Sequence, residues 1–279
     1  MTTIAGLFIY PIKSCAGIAL SEAFVTPNGL AGDREFMVVD EQGKFLTQRQ
    51  YPQMATLMVE RQAEHLRLSC TGMEPFTLPL TTTGMERAVT VWRDQVIALD
   101  QGQAVAEWLQ QALNLPHPIF LVRQTADYPR YIDPDYRPTP DATVSFADGF
   151  PLLVTNIASL ADLNQRIITN GHSPVPMSRF RPNLVLETDI PFGEDQWQSL
   201  RTKSMTLDLV KPCSRCVVTT TDQATGDRPP GKGLQEPLAT LQTFRMVPGQ
   251  GIMFGQNAVP RRLGKLRVGE PVSEDIGSG

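Results

Sequence analysis

The 279-residue chain has a net charge of −4, with 41% hydrophobic and 19% charged residues. These values are ordinary for a globular protein and favour neither nucleic acid nor an anionic membrane as a partner. No apolar run approaches the roughly 20 residues of a membrane-spanning helix, and residues 1–7 lack the basic segment of a secretion signal. The sequence therefore predicts a cytoplasmic protein, in which the four cysteines stay free or bind metal.

Short strands separated by turns dominate the first part of the chain. Strands are predicted at residues 3–10, 36–40, 45–47, 54–60, 65–70 and 88–99. The first strand ends at Pro11, and a polar loop with Lys13, Ser14 and Cys15 follows it. Apolar residues at helical spacing then predict a helix over 103–113 with one buried face.

The second part adds further strands and two helices. Strands are predicted at residues 119–122, 152–155, 184–186, 204–210, 217–221, 252–257 and 263–268. Asn156 is predicted to cap a helix that ends at Asn170, a shorter helix is predicted over 236–241, and residues 125–142 are expected to be an irregular loop. Because strands and helices do not alternate regularly, the pattern predicts a mainly β, α+β fold built around a mixed barrel.

Two cysteines three positions apart, Cys213 and Cys216, precede the predicted strand over 217–221. A structural zinc site commonly needs four nitrogen or sulfur ligands, and only Cys15, Cys70 and three unpaired histidines remain to supply them. A thioredoxin-like pair requires a helix N-terminus, and a disulfide is disfavoured in the cytoplasm. Two thiols that simply pack in the interior remain an open interpretation.

A further interpretation makes one thiolate the ligand of a soft or high-valent metal inside an anion-binding site. Ser214 and Arg215 stand beside the thiols, and several loops at predicted strand ends carry matching chemistry. These loops contribute Lys13, Ser14, Arg34, Arg181 and Asn183. If the fold does not bring them together, each is an ordinary surface residue.

Six motifs in chain order resemble those of MOSC-domain proteins, in the branch that contains the mitochondrial amidoxime-reducing component and its bacterial relatives. They are YPIKSC at 10–15, GDR at 32–34, RPN at 181–183, CSRC at 213–216 with Thr219 and Thr220, EPLATL at 236–241, and FGQN at 254–257. The resemblance implies a MOSC-type β-barrel with an N-terminal mixed β subdomain, divided into residues 1–122 and 123–279. The first strand and its Lys-Ser-Cys loop are expected to contribute to the site.

The resemblance also implies a molybdenum cofactor, with Cys216 as the metal ligand and catalytic residue. The expected cofactor-binding residues are Lys13, Ser14, Arg34, Gly149, Phe150, Arg181, Asn183, Ser214, Arg215 and Asn257. Gly149 and Phe150 stand where relatives have Thr and Ser, so contacts there would come from the backbone. Asn257 replaces a tyrosine of some relatives. The four cations of this set suit a phosphate and an anionic metal–dithiolene unit.

The implied reaction is the two-electron reduction of hydroxylamines, amidoximes and N-hydroxylated bases to amines or amidines plus water. Many bacterial relatives continue into a [2Fe–2S] ferredoxin domain, whereas this sequence has no cysteine after Cys216. The expected electron donor is therefore a separate ferredoxin or flavoprotein, unless the chain is truncated before such a domain. Candidate residues at the substrate mouth are Asp133, Asp135, Arg137 and Asp148. Alternatives are a cofactor carrier or sulfur-relay module, as in molybdenum-cofactor sulfurases, and a structural zinc domain.

Overall fold

The computed structural model describes residues 1–81, 83–231 and 233–276, and strands predominate in it. The strands of the first half are β1 Thr2–Ile9, β2 Ile18–Leu20, β3 Glu22–Thr26, β4 Gly29–Leu30, β5 Phe36–Asp40, β6 Met58–Arg61, β7 His65–Ser69, β8 Phe76–Pro79, β9 Glu86–Val91, β10 Asp94–Asp100 and β11 Ile119–Gln124. Those of the second half are β12 Arg130–Tyr131, β13 Thr143–Val144, β14 Leu152–Asn156, β15 Leu184–Glu187, β16 Ser199–Arg201, β17 Thr206–Arg215, β18 Met246–Val247, β19 Gly251–Arg262, β20 Lys265–Arg267 and β21 Pro271–Asp275. The α-helices are α1 Gln103–Ala112, α2 Ile157–Thr169 and α3 Leu238–Arg245, and short 3₁₀ helices span Pro52–Thr56, Met177–Phe180, Gly193–Asp195 and Val217–Thr220.

A closed barrel forms the centre of the molecule. Its strands follow the order β14–β15–β1–β21–β16–β17–β19, and β19 pairs back to β14 to close the ring. The strand β1 comes from the start of the chain, yet it lies between two strands of the second half. Apolar side chains fill the interior, among them Leu7, Leu184, Leu200, Leu207 and Ala258. The predicted mainly β, α+β fold with a barrel is confirmed.

The part of the first half from β5 to β11 forms two small antiparallel sheets and a helix beside the barrel. One sheet has the order β5–β11–β10–β9 and the other β6–β7–β8. The buried face of α1, which carries Val105 and Leu109, joins Phe36, Leu66 and Leu121 in one core cluster. The turn between β9 and β10 holds Trp92 at a φ of 57°, a backbone conformation that few non-glycine residues adopt. The predicted domain boundary between residues 122 and 123 stays a prediction.

Both longer helices match their predictions. The helix predicted over 103–113 is α1, and Asn156 caps α2 by accepting a hydrogen bond from the Ala158 amide at 2.9 Å. The loop over 125–142 is mostly irregular, and the short β12–β13 pairing brackets its second part. In the described residues, no helix combines the length and the apolar character needed to cross a bilayer.

The strand predicted over 217–221 is wrong. Strand β17 instead runs through Cys213 and ends at Arg215, and a 3₁₀ turn over Val217–Thr220 follows Cys216. The hydroxyl of Thr219 donates to the Cys216 carbonyl at 2.9 Å, and that of Thr220 donates to the Val217 carbonyl at 2.8 Å. These local bonds compete with strand pairing, so β-branched residues that usually favour a strand here stabilise a turn.

Other differences concern strand ends and short strands. The strand predicted over 54–60 begins at Met58, because Pro52 starts a 3₁₀ turn before it. The region 88–99 is a two-stranded hairpin, β9–β10. Helix α3 begins and ends later than predicted. The sequence does not predict β2 and β16, because three residues carry too little periodicity to be recognised. The five-residue strands β3 and β21 are also not predicted.

Leu207 tests the barrel core. Its side chain is fully buried, whereas that of Leu263 is 48% exposed. We expect Leu207→Ala to lower the free energy of unfolding by about 2–5 kcal/mol, because the smaller side chain leaves a cavity. Leu263→Ala, the matched control, should cost less than about 1 kcal/mol. Urea unfolding of the two variants measures the difference, and equal losses would contradict this assignment of the core.

Cys15 should make the free energy of unfolding depend on pH in the alkaline range. It is fully buried, and burial raises the pKa of its thiol to about 12, whereas an unfolded cysteine has a pKa of about 8.5. The pKa of Cys15 is higher in the folded protein than in the unfolded chain. The neutral thiol therefore contributes its full stabilisation of the folded state below the unfolded pKa, and this stabilisation is lost as pH rises toward the folded pKa. We expect the stability difference between wild type and Cys15→Ala to fall by about 1.4 kcal/mol per pH unit above about pH 9. Urea unfolding between pH 8 and pH 10.5 measures this slope, and a pH-independent difference would contradict it.

Candidate cofactor site

One cleft between the barrel and the N-terminal sheets is lined by all the residues that the sequence predicted for the site. They are Lys13, Ser14, Arg34, Gly149, Phe150, Arg181, Asn183, Ser214, Arg215, Cys216 and Asn257. The condition that the sequence left open, their proximity, is therefore met. The role of each residue stays a prediction.

Cys216 is held between a strand and a turn. Strand β17 pairs with β19 as far as Arg215 opposite Ile252, and Cys216 follows directly with an extended backbone. The Thr219 amide donates to the Cys216 carbonyl at 3.0 Å and starts the next turn. The rigid element that positions the half-buried thiol is thus the strand before it, and not a strand after it as the sequence predicted.

The loop after β1 brings Lys13 and Ser14 to the cleft. Its backbone is anchored by the Lys13 amide, which donates to the Phe36 carbonyl at 2.8 Å, and Ser14 adopts a φ of 70°. The buried Lys13 ammonium donates to the Phe146 carbonyl at 2.8 Å and to the exposed Asp148 carboxylate at 2.5 Å. Burial lowers the pKa of Lys13, and the attraction of Asp148 opposes that shift.

Arg34 lies at the centre of a polar network. Its guanidinium donates to the Asp33 carboxylate at 2.6 Å, to the Asn183 side chain at 3.0 Å and to the Arg181 carbonyl at 3.2 Å. Asp33 is fully buried and also accepts a hydrogen bond from the Tyr10 amide at 2.8 Å. Burial raises the pKa of Asp33, and Arg34 opposes the shift. This carboxylate therefore neutralises part of the charge in the cleft.

Arg181 is a buried cation next to Arg34. Its side chain donates to the Cys15 carbonyl at 2.7 Å and to Gln223 at 3.0 Å, and burial lowers its pKa to about 10. The ring of Tyr10 contacts both guanidinium groups, with centroid distances of 4.2 Å to Arg34 and 4.1 Å to Arg181. Such cation–π contacts stabilise two like charges that would otherwise repel each other. The sequence motif contained Tyr10, but nothing in its spacing indicated this role.

Arg215 connects the second thiol to the wall of the cleft. Its guanidinium donates to the Phe180 carbonyl at 2.7 Å and to Cys213 Sγ at 2.9 Å. The Cys213 thiol is half-buried and lines the cleft, and its role stays a prediction. Within the described chain, the buried Arg215 Nε has no hydrogen-bond partner, as expected where a ligand supplies one.

Arg49 is a site residue that sequence analysis missed. Its Nη2 lies 3.3 Å from Cys216 Sγ, and its guanidinium packs on the ring of Trp92 at 4.5 Å. Thr47, from the same turn, also lines the cleft. The turn carries no recognisable motif, and Arg49 is 167 positions away from Cys216, so no local pattern could have found the contact.

The four residues predicted at the substrate mouth do not all lie together. Asp148 lines the central cleft, and Asp133 lines an adjacent one, where it pairs with Arg93 at 2.7 Å. Asp135 and Arg137 line neither of these two clefts. Asp148 is therefore the member of this group with a direct position at the site.

The residues of the cleft fit a large anionic ligand that takes one protein thiolate. Five cations line the cleft, Arg215 Nε offers a free donor, and a Cβ added at Gly149 would meet no atom within 4 Å, so the backbone there is open to a ligand. In the described residues, no three His, Cys, Asp or Glu side chains gather to hold a metal ion. A metal bound here would take most of its ligands from outside the protein, which argues against a structural zinc site and suits a metal carried by an organic cofactor.

Two domain models and several relatives match this chain. Residues 1–116 match the MOSC N-terminal beta barrel domain, and residues 141–273 match the MOSC domain. The human mitochondrial amidoxime-reducing component 1 is 32% identical over 97% of this chain and 82% of its own length, and the mouse protein is 33% identical over 97% and 81%. The solved YUAD protein from Bacillus subtilis aligns over 98% of this chain and 94% of its own, with a TM-score of 0.39 and 10% identity. By its two matched domains and its similarity to these relatives, the chain belongs to the MOSC-domain family.

Proposed function

We propose that this protein is a molybdenum-cofactor-dependent reductase of N-hydroxylated compounds, which converts hydroxylamines, amidoximes and N-hydroxylated bases to amines or amidines. The observation that carries the proposal is the Cys216 thiol in a cleft lined by Lys13, Arg34, Arg181 and Arg215. The names of the relatives, amidoxime-reducing components, support the same chemistry. When bound, the cofactor supplies a metal centre that exchanges two electrons and accepts oxygen.

Different residues of the cleft would hold different parts of such a cofactor. Arg34 and Arg181 present buried guanidinium groups, whose planar geometry suits phosphate. Backbone groups at Ser14, Gly149 and Phe150, with the side chains of Asn183, Ser214 and Asn257, line the remaining walls. Cys216 must lose its proton to bind metal, and the guanidinium of Arg49 lies 3.3 Å from its sulfur.

The reaction requires electrons and protons from outside the substrate. Two electrons and two protons convert an N-hydroxyl group to N–H and water, with cleavage of the N–O bond. We infer that a separate ferredoxin or flavoprotein delivers the electrons singly, and that nucleic acid and membrane are not partners. Four free cysteines suit a reducing cytoplasm. The proposed division of the chain is residues 1–122 and 123–279, with β1 contributing to the second unit.

A cofactor carrier or sulfur-relay module is the second candidate. One observation favours it, because Cys213 lies in the same cleft as Cys216 and a relay would need a second thiol. A carrier would bind the cofactor without reducing substrate. The two functions are separated by activity measured on protein that contains molybdenum.

Cys216→Ser and Cys213→Ser form a matched pair. We expect Cys216→Ser to purify with its pterin and to reduce benzamidoxime no faster than a protein-free blank, because the metal ligand is lost. Cys213→Ser should keep most of the activity, since a serine oxygen also accepts the hydrogen bond from Arg215. Molybdenum and pterin content, with benzamidoxime reduction by an artificial reductant, measure both variants. Wild-type activity in Cys216→Ser would refute the ligand assignment, and wild-type protein that contains molybdenum but does not reduce benzamidoxime would favour the carrier or relay.

Arg34→Ala and Arg181→Ala test the cofactor cradle. Hydrogen bonds between charged groups contribute about 1.5–3 kcal/mol each, so each variant should bind the cofactor at least about tenfold more weakly and purify with less molybdenum. Arg201→Ala is the control, because its side chain is 55% exposed and pairs with Asp275 away from the cleft. Metal analysis and thermal unfolding of the cofactor-free proteins separate cofactor loss from misfolding. Wild-type molybdenum content in both Arg34→Ala and Arg181→Ala would contradict the proposal that these arginines hold the cofactor.

A further inference from the structure

We propose that Arg49 binds the oxygen of the substrate's N-hydroxyl group, and that Trp92 is the positioning residue that holds Arg49 beside Cys216. This inference rests on the proposed function and names the groups that recognise its substrate. It assigns the substrate side of the site to a turn and a hairpin of the first half of the chain.

Four of the cations in the cleft are held by contacts within the protein. Lys13 is paired with Asp148, and Arg34 with Asp33. Arg181 and Arg215 donate to backbone carbonyls and to side chains that fix them in place. Contacts within the protein thus fix these four cations in the walls of the cleft, where the proposed function assigns them to the cofactor.

Arg49 is different. Within the described ranges, its side chain makes one hydrogen bond, from Nη2 to Cys216 Sγ at 3.3 Å. A guanidinium group has five N–H donors, so most of those of Arg49 remain for a ligand. They remain at the thiol end of the cleft, where the reacting atoms must lie if Cys216 is the metal ligand. Arg49 is therefore placed to meet the substrate rather than the cofactor phosphate.

Arg228 links the backbone of Arg49 to the segment that follows Cys216. The Arg228 guanidinium donates to the Arg49 carbonyl at 3.1 Å and to the hydroxyl of Thr221 at 2.7 Å. Thr221 directly follows the turn that begins after Cys216. One arginine thus ties the turn of Arg49 to the segment of the proposed ligand, so the distance between the two groups is set by several bonds.

Trp92 fixes the side chain of Arg49. The guanidinium packs on the indole at 4.5 Å, and the edge of the Phe45 ring meets the same indole at a centroid distance of 5.0 Å. The indole N–H donates to Asp148 at 3.2 Å, which anchors the tip of the β9–β10 hairpin to the rim of the cleft. The positive φ of 57° at Trp92 is maintained by these contacts.

Trp92 also stands where a flat substrate would enter. It lines two neighbouring clefts, one that shares Thr47 and Arg49 with the central cleft, and one that shares Asp148, Gly149 and Phe150 with it. The second contains the aromatic pair of Tyr136 and Phe150, with centroids 5.8 Å apart. Aromatic walls on this approach favour substrates in which the N-hydroxyl group is attached to a planar aromatic body.

The proposed contact needs no proton transfer from Arg49. The guanidinium keeps its protons and donates a hydrogen bond to the N-hydroxyl oxygen. Because the group is fixed before the substrate binds, its charge stabilises the oxygen as the N–O bond breaks, without any cost of reorganisation.

Binding of two related ligands tests the contact to oxygen. Benzamidoxime carries the N-hydroxyl oxygen, and benzamidine lacks it. We expect Arg49→Gln to weaken binding of benzamidoxime to the oxidised, molybdenum-loaded protein at least about tenfold, as for a lost hydrogen bond to a charged group. Binding of benzamidine should be unchanged or tighter, since one repelling positive charge is removed. Calorimetry measures both affinities.

Kinetics and metal content complete the test. Arg49→Gln should keep its molybdenum and lose about 100-fold in kcat/KM for benzamidoxime, Arg49→Lys should lose less, and Arg201→Gln should match wild type. Trp92→Ala should lower kcat/KM about tenfold, and Trp92→Phe, which keeps a ring under the guanidinium, should lose less.

Several results would overturn the proposal. They are loss of molybdenum from Arg49→Gln, equal weakening of both ligands, and wild-type affinity for benzamidoxime. A wild-type protein that holds molybdenum and does not reduce benzamidoxime would instead refute the proposed function. In that case the difference between the two ligands would still decide whether Arg49 recognises the oxygen.

Discussion

The pairing of β17 with β19 is the interaction on which both the barrel and the cleft depend. Strand β19 pairs with β17 on one side and with β14 on the other, which closes the ring. Gly255 allows this double pairing, since its φ is 77° and an added Cβ would lie 2.6 Å from the Val154 carbonyl oxygen. Irregularities along β17 then bring Ser214 and Arg215 to the cleft, and Cys216 follows where the strand ends.

The cleft concentrates positive charge that the protein neutralises only in part. The buried Asp33 carboxylate and the exposed Asp148 carboxylate pair with one cation each, while carbonyl oxygens and the ring of Tyr10 surround the others. Removing a charge from water costs several kcal/mol. An anionic ligand would offset much of this cost. The cations that destabilise the fold without a ligand would therefore favour tight binding of a phosphorylated cofactor.

The two halves of the chain contribute different chemistry to one site. The second half supplies the strand that carries the thiol, together with Arg181 and Arg215, and the first half supplies the β1 loop, Arg34, Arg49 and the hairpin with Trp92. Because Trp92 reaches across to Asp148, the relative position of the halves sets the width of the cleft at the thiol end. In the proposed reductase, this arrangement holds the cofactor on one side and admits the substrate on the other.

Much of the fold and the composition of the site could be predicted from the order of residues. Helical spacing located α1, the capping Asn156 located the start of α2, and six ordered motifs indicated the family and the residues that line the cleft. These features are local, or are repeated in the family. The turn after Cys216 was mispredicted, since the hydroxyls of Thr219 and Thr220 bond to the backbone instead of allowing a strand. The contact of Arg49 with Cys216 and the two arginines around Tyr10 depend on packing between segments that are far apart in the sequence, and only the tertiary structure brings those segments together.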